Sequence, residues 1–266
     1  MIDLIYSEGI KWITFWWWEP FLNKRIYEII KYTHNKWMKT CVITNWTVLN
    51  KEKLLETIPY LDELLVSIDS WISETHDEIR GKKWTFIKAL EFIKFVDENR
   101  SDNFTLSIDT TIQKINCKNF YSIIDIALKY NTYLNFDPVQ LYWYWNNSDS
   151  KLKPNLEDVN FIELKLRELK KNYSDTILQS DESLDRIISY FKWWDINIPC
   201  KSIDNDLILD PYWNIIECWW RNKIKYNILK EWWIQNTNSC MWDDCKKCWF
   251  SHVRVWDYDD WYSPVI

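Results

Sequence analysis

Tryptophan occupies the turns and caps of this chain where backbone geometry calls for glycine. The 266 residues include 21 Trp and only 2 Gly, against about 7% Gly in an ordinary soluble domain. Trp46 follows Asn45 at a strand end, Trp213 lies in the turn Asp210-Pro211-Tyr212-Trp213-Asn214, and Trp37 follows a helical run ending at Asn35-Lys36. Each place asks for a positive φ or a left-handed helix cap, where Gly is the default and a bulky aromatic is strained. Three consecutive indoles at Trp16, Trp17 and Trp18, just before Glu19-Pro20, have no common packing. The pattern predicts an alternative genetic code, in which UGA encodes glycine in this gene and is rendered as Trp, so that only Gly9 and Gly81 would come from ordinary glycine codons. The opposing reading is a natural Trp-rich protein, and UGG codons at most of these positions would establish it.

The length suffices for one sizeable core with a small appendage. Basic and acidic residues, 33 and 39, are mixed along the chain for a net charge of −6, and the absence of a basic stripe speaks against a nucleic-acid partner. No apolar run reaches the length of a membrane span, and Met1-Ile2-Asp3-Leu4 lacks the basic start of a signal peptide. The expectation is a cytoplasmic protein with no membrane partner. In that reducing compartment the seven cysteines favour metal or redox chemistry over disulfides. Five of them lie between Cys200 and Cys248, while Cys41 in a strand and Cys117 near a helix start read as ordinary buried residues.

From Lys11 to Gln140 short β-branched runs alternate with amphipathic ones. The strand candidates are Trp12 to Phe15, Thr40 to Thr44, Leu64 to Asp69, Phe104 to Thr111 and Tyr133 to Val139. Helical periodicity joins Leu22, Ile26, Ile29 and Ile30 in one intervening segment and Phe86, Ala89, Leu90 and Ile93 in another. Strand, helix, strand at this spacing implies parallel pairing with right-handed crossovers. Met1 to Ser7 reads as the last turns of a helix capped by Gly9, so a strand and most of a helix are expected upstream. With them the fold class is α/β, a partial (β/α)6 barrel related to the eightfold one. After Gln140 come a loop, Tyr142-Trp143-Tyr144-Trp145-Asn146-Asn147 running on to Pro154, and helices over Leu156 to Lys171 and Leu184 to Phe191. Two β-like runs, Leu207 to Leu209 and Asn214 to Glu217, then flank the Trp213 turn. The division is a barrel over residues 1–195 and a small Cys-rich domain over residues 196–266.

With glycine in place of tryptophan, Thr14-Phe15-Trp16-Trp17-Trp18-Glu19-Pro20 reads T-F-G-G-G-E-P at the C-terminal end of a strand. Glycines let the backbone approach a ligand closely, and exposed carbonyls with a carboxylate suit an ammonium group. The segment resembles the GGEP motif of the radical S-adenosylmethionine (radical SAM) enzymes. That resemblance implies that Trp17, Trp18, Glu19 and Pro20 form the segment holding the cofactor's methionine amino group. The bland alternative is a turn capping a helix, with Pro20 near its first position.

Leu65-Val66-Ser67-Ile68-Asp69, followed by His76-Asp77-Glu78-Ile79-Arg80, resembles the same family's S-I-D…H-D-x-x-R segment. By that resemblance Ser67, Asp69 and Arg80 belong to the cofactor site, with Ser67 and Arg80 on the methionine carboxylate, to which a guanidinium fork is matched. His76 reads as structural.

The C-terminal spacing is Cys200-x12-Trp213-x4-Cys218, then Cys240-x4-Cys245-x2-Cys248. With Trp213 as glycine it is similar to the opening of the SPASM and twitch extensions of that family, which implies an auxiliary [4Fe-4S] cluster. Cys200, Cys218, Cys245 and Cys248 are the preferred ligands, with Cys240 as a spare or alternative fourth, since four thiolates complete such a cluster. A structural zinc site could use the same thiolates.

The family's C-x3-C-x2-C loop, which holds the catalytic [4Fe-4S] cluster, has no counterpart before Trp12 and is expected upstream of Met1. The resemblance implies reductive cleavage of S-adenosylmethionine to a 5′-deoxyadenosyl radical that abstracts hydrogen from a peptide, cofactor precursor or other small molecule. An electron donor such as flavodoxin or ferredoxin is implied as partner. The rival reading is a non-catalytic remnant that acts as a zinc- or iron-sulfur-bearing binding module.

Overall fold

The computed structural model describes residues 2–7, 9–16, 19–46, 50–139, 151–193, 214–216 and 224–227. Five strands, β1 (Trp12–Phe15), β2 (Lys39–Thr44), β3 (Glu63–Ser67), β4 (Thr105–Ile112) and β5 (Tyr133–Pro138), form one sheet in the order β1-β2-β3-β4-β5. Every neighbouring pair is parallel. Helix α1 (Ile2–Ser7) precedes β1, and α2 (Ile26–Asn35), α3 (Lys51–Leu55), α4 (Ser73–Ile79), α5 (Thr85–Asp97) and α6 (Ile124–Lys129) fill the crossovers. Then come α7 (Leu156–Asn172) and α8 (Asp181–Trp193). Sequential strand order is the winding of a (β/α) barrel, in contrast to doubly wound sheets, whose order reverses at a switch point. Apart from this sheet, β6 (Asn214–Ile216) and β7 (Ile224–Asn227) pair antiparallel.

All five predicted strands are present; the first matches at both ends and the others shift by one or two residues. The largest shift removes Asp69 from β3, which stops at Ser67. The first predicted helix is shorter than its periodicity suggested. Leu22 lies in a separate 3-10 turn, Pro20–Leu22, and is exposed, because Glu19 and Pro20 cap that turn and α2 begins only at Ile26. Asn214 to Ile216 is a strand as expected, and its partner is Ile224–Asn227, a run the sequence reading did not single out. The predicted run Leu207 to Leu209 lies outside the described residues, as does Glu217.

Register divides the sheet into two unlike faces. Val42, Leu64, Val66, Leu106, Ile108, Leu134 and Phe136 pack with the helices in one buried cluster. Successive strand residues point to opposite faces, so Lys39, Glu63, Ser67, Ser107, Asp109, Asn135 and Asp137 share the other, together with Cys41, Ile43, Leu65 and Tyr133. Two contacts across this second face agree: Ser107 Oγ lies 3.3 Å from Glu63 Oε1, and Trp12 Nε1 donates to Thr14 Oγ1. Parallel sheets covered on both sides by hydrophobic layers read as continuous apolar runs; a face this polar needs polar company.

Three helices end in the same hydrogen-bond motif. After α4, Gly81 N donates to Glu78 O and Lys82 N to Asp77 O, with Gly81 at φ +66. After α6, Asn131 at φ 46 takes the glycine place, with Asn131 N to Leu128 O and Thr132 N to Ala127 O. After α2, Trp37 takes it at φ 63, with Trp37 N to His34 O and Met38 N to Thr33 O. This is the Schellman cap, whose left-handed residue is normally Gly or Asn. Among the described residues, the non-glycine positions with positive φ are Trp37, Trp46, Trp84 and Asn131. Trp37 and Trp46 are two of the sites predicted to need glycine; Trp84, which precedes α5, adds a third tryptophan of the same kind. The Trp37 indole is 90% exposed and gains nothing from packing. Trp37→Gly is therefore expected to raise stability by about 1 kcal/mol, the scale of left-handed strain for a residue with Cβ. Urea unfolding reads this, and a loss of stability would argue for a genuine tryptophan.

Candidate functional site

The C-terminal ends of β1 to β5 all lie on one edge of the sheet, the edge at which (β/α) folds build their sites. After β1, Glu19 is buried and its carboxylate is fully engaged. Phe21 N–H donates to Oε1 at 3.1 Å, Asn45 N–H to Oε2 at 2.8 Å, and Thr44 Oγ1 lies 2.8 and 2.9 Å from the two oxygens. Thr44 Oγ1 in turn accepts from Trp46 N–H. Burial pushes the Glu19 carboxyl above its usual range, and the Thr44 hydroxyl and the Phe21 and Asn45 amides oppose this without cancelling it. Glu19 thus ties the loop after β1 to the loop after β2 and caps the turn in which Pro20 stands first. Trp17 and Trp18 lie outside the described residues; Trp16 directly follows β1 and is half-buried.

Thr44 shares its hydroxyl between a buried carboxylate and a buried amide. Thr44→Val is nearly isosteric and leaves both without this partner. It should cost about 1 to 3 kcal/mol in urea unfolding, the scale for an unmade buried hydrogen bond. A neutral result would mean that Glu19 is held by the backbone alone.

After β3, Asp69 is completely buried and tied on every side. Its N–H donates to His76 Nδ1 at 3.1 Å, its carbonyl accepts from Asn116 Nδ2 at 2.6 Å, and its Oδ1 accepts from Thr111 N–H at 3.1 Å. Arg80 Nε stands 2.5 Å from Asp69 Oδ2. Oδ2 accepts no hydrogen bond, so the two meet as an ion pair rather than along an aligned N–H. Arg80 is partly exposed. Ser67, the last residue of β3, pairs in register with Asp109, and Asp109 with Asn135. Asn135 is buried on the polar face with its Oδ1 unpartnered. The sequence reading missed Asp109, Asn135, Asp137 and Asn116. The period-two alternation of β4, Thr-Leu-Ser-Ile-Asp-Thr-Thr-Ile, was the available signal for the polar face; nothing local marked Asn116.

His76 is structural, as expected. It is fully buried and neutral, since accepting the Asp69 amide requires an unprotonated Nδ1, so its 4.0 Å separation from Asp69 Oδ2 is no ion pair. Burial lowers its pKa from 6.5 to about 4, with Arg80 adding to this and the Asp69 and Asp77 charges opposing. Asp77 caps α5, accepting from Trp84 N, Thr85 Oγ1 and Phe86 N. Cys41 and Cys117 are both buried thiols as predicted, and burial pushes the Cys117 thiol up to about 11. Cys200, Cys218, Cys240, Cys245 and Cys248, with Trp213, lie outside the described residues.

Because the fold excludes the charged form of His76 whereas the unfolded chain does not, the unfolded state binds more protons between about pH 6.5 and 4. Stability is full above that window and falls as pH drops through it, by roughly 3 kcal/mol at most. His76→Asn keeps an acceptor for the Asp69 amide and removes the titration. It should flatten this part of the stability curve, as measured by urea midpoints at the two ends of the window.

No family profile matches the chain. Two curated relatives match parts of it. The antilisterial bacteriocin subtilosin biosynthesis protein AlbA of Bacillus subtilis is 31% identical over 99 residues, 36% of this chain and 22% of that protein. An S-adenosylmethionine-dependent nucleotide dehydratase of Lacinutrix mariniflava is 33% identical over 121 residues, 44% of this chain and 25% of that protein. The matches thus span about a quarter of each relative's length or less. Among solved structures, Streptococcus suis SuiB bound to S-adenosylmethionine aligns with a TM-score of 0.67 at 12% identity, over 93% of this chain and 61% of SuiB. SuiB has also been solved with its precursor peptide SuiA. At that identity the alignment establishes the fold alone: an α/β chain with a parallel sheet like that of SuiB.

Proposed function

We propose that this chain is the core of a radical S-adenosylmethionine enzyme, with residues 1–195 as a partial (β/α)6 barrel and residues 196–266 as a SPASM- or twitch-like domain. The observation that carries the reading is the buried Asp69 with Arg80 beside it just past the C-terminal end of β3 in a sequentially wound parallel sheet. A partly exposed guanidinium there suits the carboxylate of the cofactor's methionine moiety. Ser67 would share that carboxylate, and the carbonyls of residues 17 and 18, ahead of Glu19 and Pro20, would face the amino group. Asp69 and the fully engaged Glu19 then act mainly by holding their loops, since neither carboxylate is free.

S-adenosylmethionine bound beside a reduced catalytic [4Fe-4S] cluster supplies a hydrogen-abstracting radical. The polar face, with the unpartnered Asn135 Oδ1, would line the space where substrate meets it. A peptide is the favoured substrate class, because AlbA serves bacteriocin biosynthesis and SuiB binds a precursor peptide. Five C-terminal cysteines offer enough soft donors for an auxiliary [4Fe-4S] cluster on Cys200, Cys218, Cys245 and Cys248 with Cys240 in reserve. The reaction also needs the C-x3-C-x2-C loop upstream of Met1 and an external electron donor such as flavodoxin or ferredoxin. No helix of the described residues is long and apolar enough to cross a membrane, and a cytoplasmic location belongs to the same proposal. The Trp37 Schellman cap and the positive φ of Trp46 and Trp84 support glycine at the tryptophan positions.

The test is anaerobic production of the complete gene product with UGA read as glycine. Iron and sulfide in amounts matching a catalytic and an auxiliary cluster, with 5′-deoxyadenosine released on reduction, are expected. Zinc without sulfide and no cleavage of S-adenosylmethionine would favour the binding-module alternative.

A further inference from the structure

The site contains a feature that direct ligand contact does not explain: a completely buried aspartate whose side chain is committed to the protein on both oxygens. Asp69 Oδ1 is fixed by the Thr111 amide, and Oδ2 faces Arg80 Nε at 2.5 Å. The backbone of Asp69 is held from both ends as well, its N–H by His76 of α4 and its carbonyl by Asn116 of the loop after β4. Asn116 is itself locked, since its Oδ1 accepts from Gln113 N–H and its Nδ2 also reaches Thr111 O. Three elements therefore converge to set the position of one carboxylate group.

Such an anchor is costly, because a buried carboxylate without its cation is strongly destabilising. Its partner, by contrast, is the C-cap residue of a short helix, with a side chain 29% exposed. The rigid member is Asp69 and the reaching member is Arg80. The contact uses Nε, on one side of the planar fork, and no other side-chain hydrogen bond or ion pair of Arg80 is found among the described residues. The two terminal nitrogens, the pair best matched to both oxygens of a carboxylate, are left for a ligand.

We infer that Asp69 is a positioning residue that holds Arg80 by its Nε side so that the terminal edge of the guanidinium receives the α-carboxylate of an amino-acid-bearing ligand. This rests on the S-adenosylmethionine reading above and goes beyond it by assigning carboxylate selectivity to a residue that never touches the ligand. Asp69→Asn keeps an acceptor for Thr111 N–H and loses the charge facing Arg80. Arg80 then has no anchor, and recognition of the carboxylate weakens while contacts to the rest of the ligand persist.

The experiment measures equilibrium binding of two probes, S-adenosylmethionine and decarboxylated S-adenosylmethionine, to the complete protein under anaerobic conditions. The wild type is expected to prefer the first by about tenfold or more, the scale of one charge-assisted bidentate contact. In Asp69→Asn that preference should fall to about twofold or less, with the decarboxylated probe bound as in the wild type. A merely structural role for Asp69 would weaken both probes together and would overturn the inference. So would an Asp69→Asn protein that keeps the full preference. If the wild type shows no preference, or binds neither probe, the S-adenosylmethionine reading fails first. Arg80→Lys, at a partly exposed helix end, guards against a misfolded Asp69 variant: its single ammonium is drawn to Asp69 and cannot also bracket a carboxylate. Loss of preference there supports the inference, and an unchanged preference overturns it.

Discussion

Parallel pairing of five successive strands places all their C-terminal ends on one edge and gives the sheet two chemically distinct faces. One face must be apolar, because the crossover helices lie against it and their apolar stripes need burial. That demand is met by Val42, Leu64, Val66, Leu106, Ile108, Leu134 and Phe136, all in one cluster with the helices. The opposite face is free of that demand. Its Ser, Asp, Asn and Glu side chains, brought level by the register from β3 to β5, are stable only beside polar groups. The site chemistry follows from that division.

The loops at the functional edge are joined by side chains rather than by further secondary structure. Glu19 links the turns after β1 and β2, and Asn116 with Asp69 links those after β3 and β4. Each junction consists of buried polar groups with nearly all their capacity used. Such networks specify one loop geometry, at the cost that any deletion leaves a partner unsatisfied in a low-dielectric setting. His76 belongs to this arrangement through its neutral imidazole. Its burial makes it a poor proton carrier near neutrality, which suits an acceptor that fixes a backbone amide.

The three helix-terminal caps make an internal comparison of side chains in one backbone geometry. Gly81 fits without strain, Asn131 is the usual non-glycine substitute, and Trp37 has neither the missing Cβ nor a local hydrogen bond to compensate. Its exposed indole supplies no burial that would offset the strain. This is a local conflict of the kind that foldable sequences avoid, and glycine at that position removes it.

The sequence by itself determined the strand and helix order, the left-handed positions at Trp37 and Trp46 and the buried thiols of Cys41 and Cys117. These follow from hydrophobic period, turn chemistry and side-chain character within a few residues of one another. The family resemblance also grouped Glu19, Ser67, Asp69 and Arg80, and of these the structure joins Asp69 and Arg80 directly. Their division of labour it could not supply, because Asp69 meets Thr111 and Asn116 across 42 and 47 residues of chain, and Glu19 meets Thr44 across 25. Strand register decides such meetings, and register is a property of the assembled sheet. Only the tertiary structure therefore showed which backbone amides the Glu19 and Asp69 carboxylates fix and that Arg80 stands beside Asp69, and only it brought Ser67, Asp109 and Asn135 level in register.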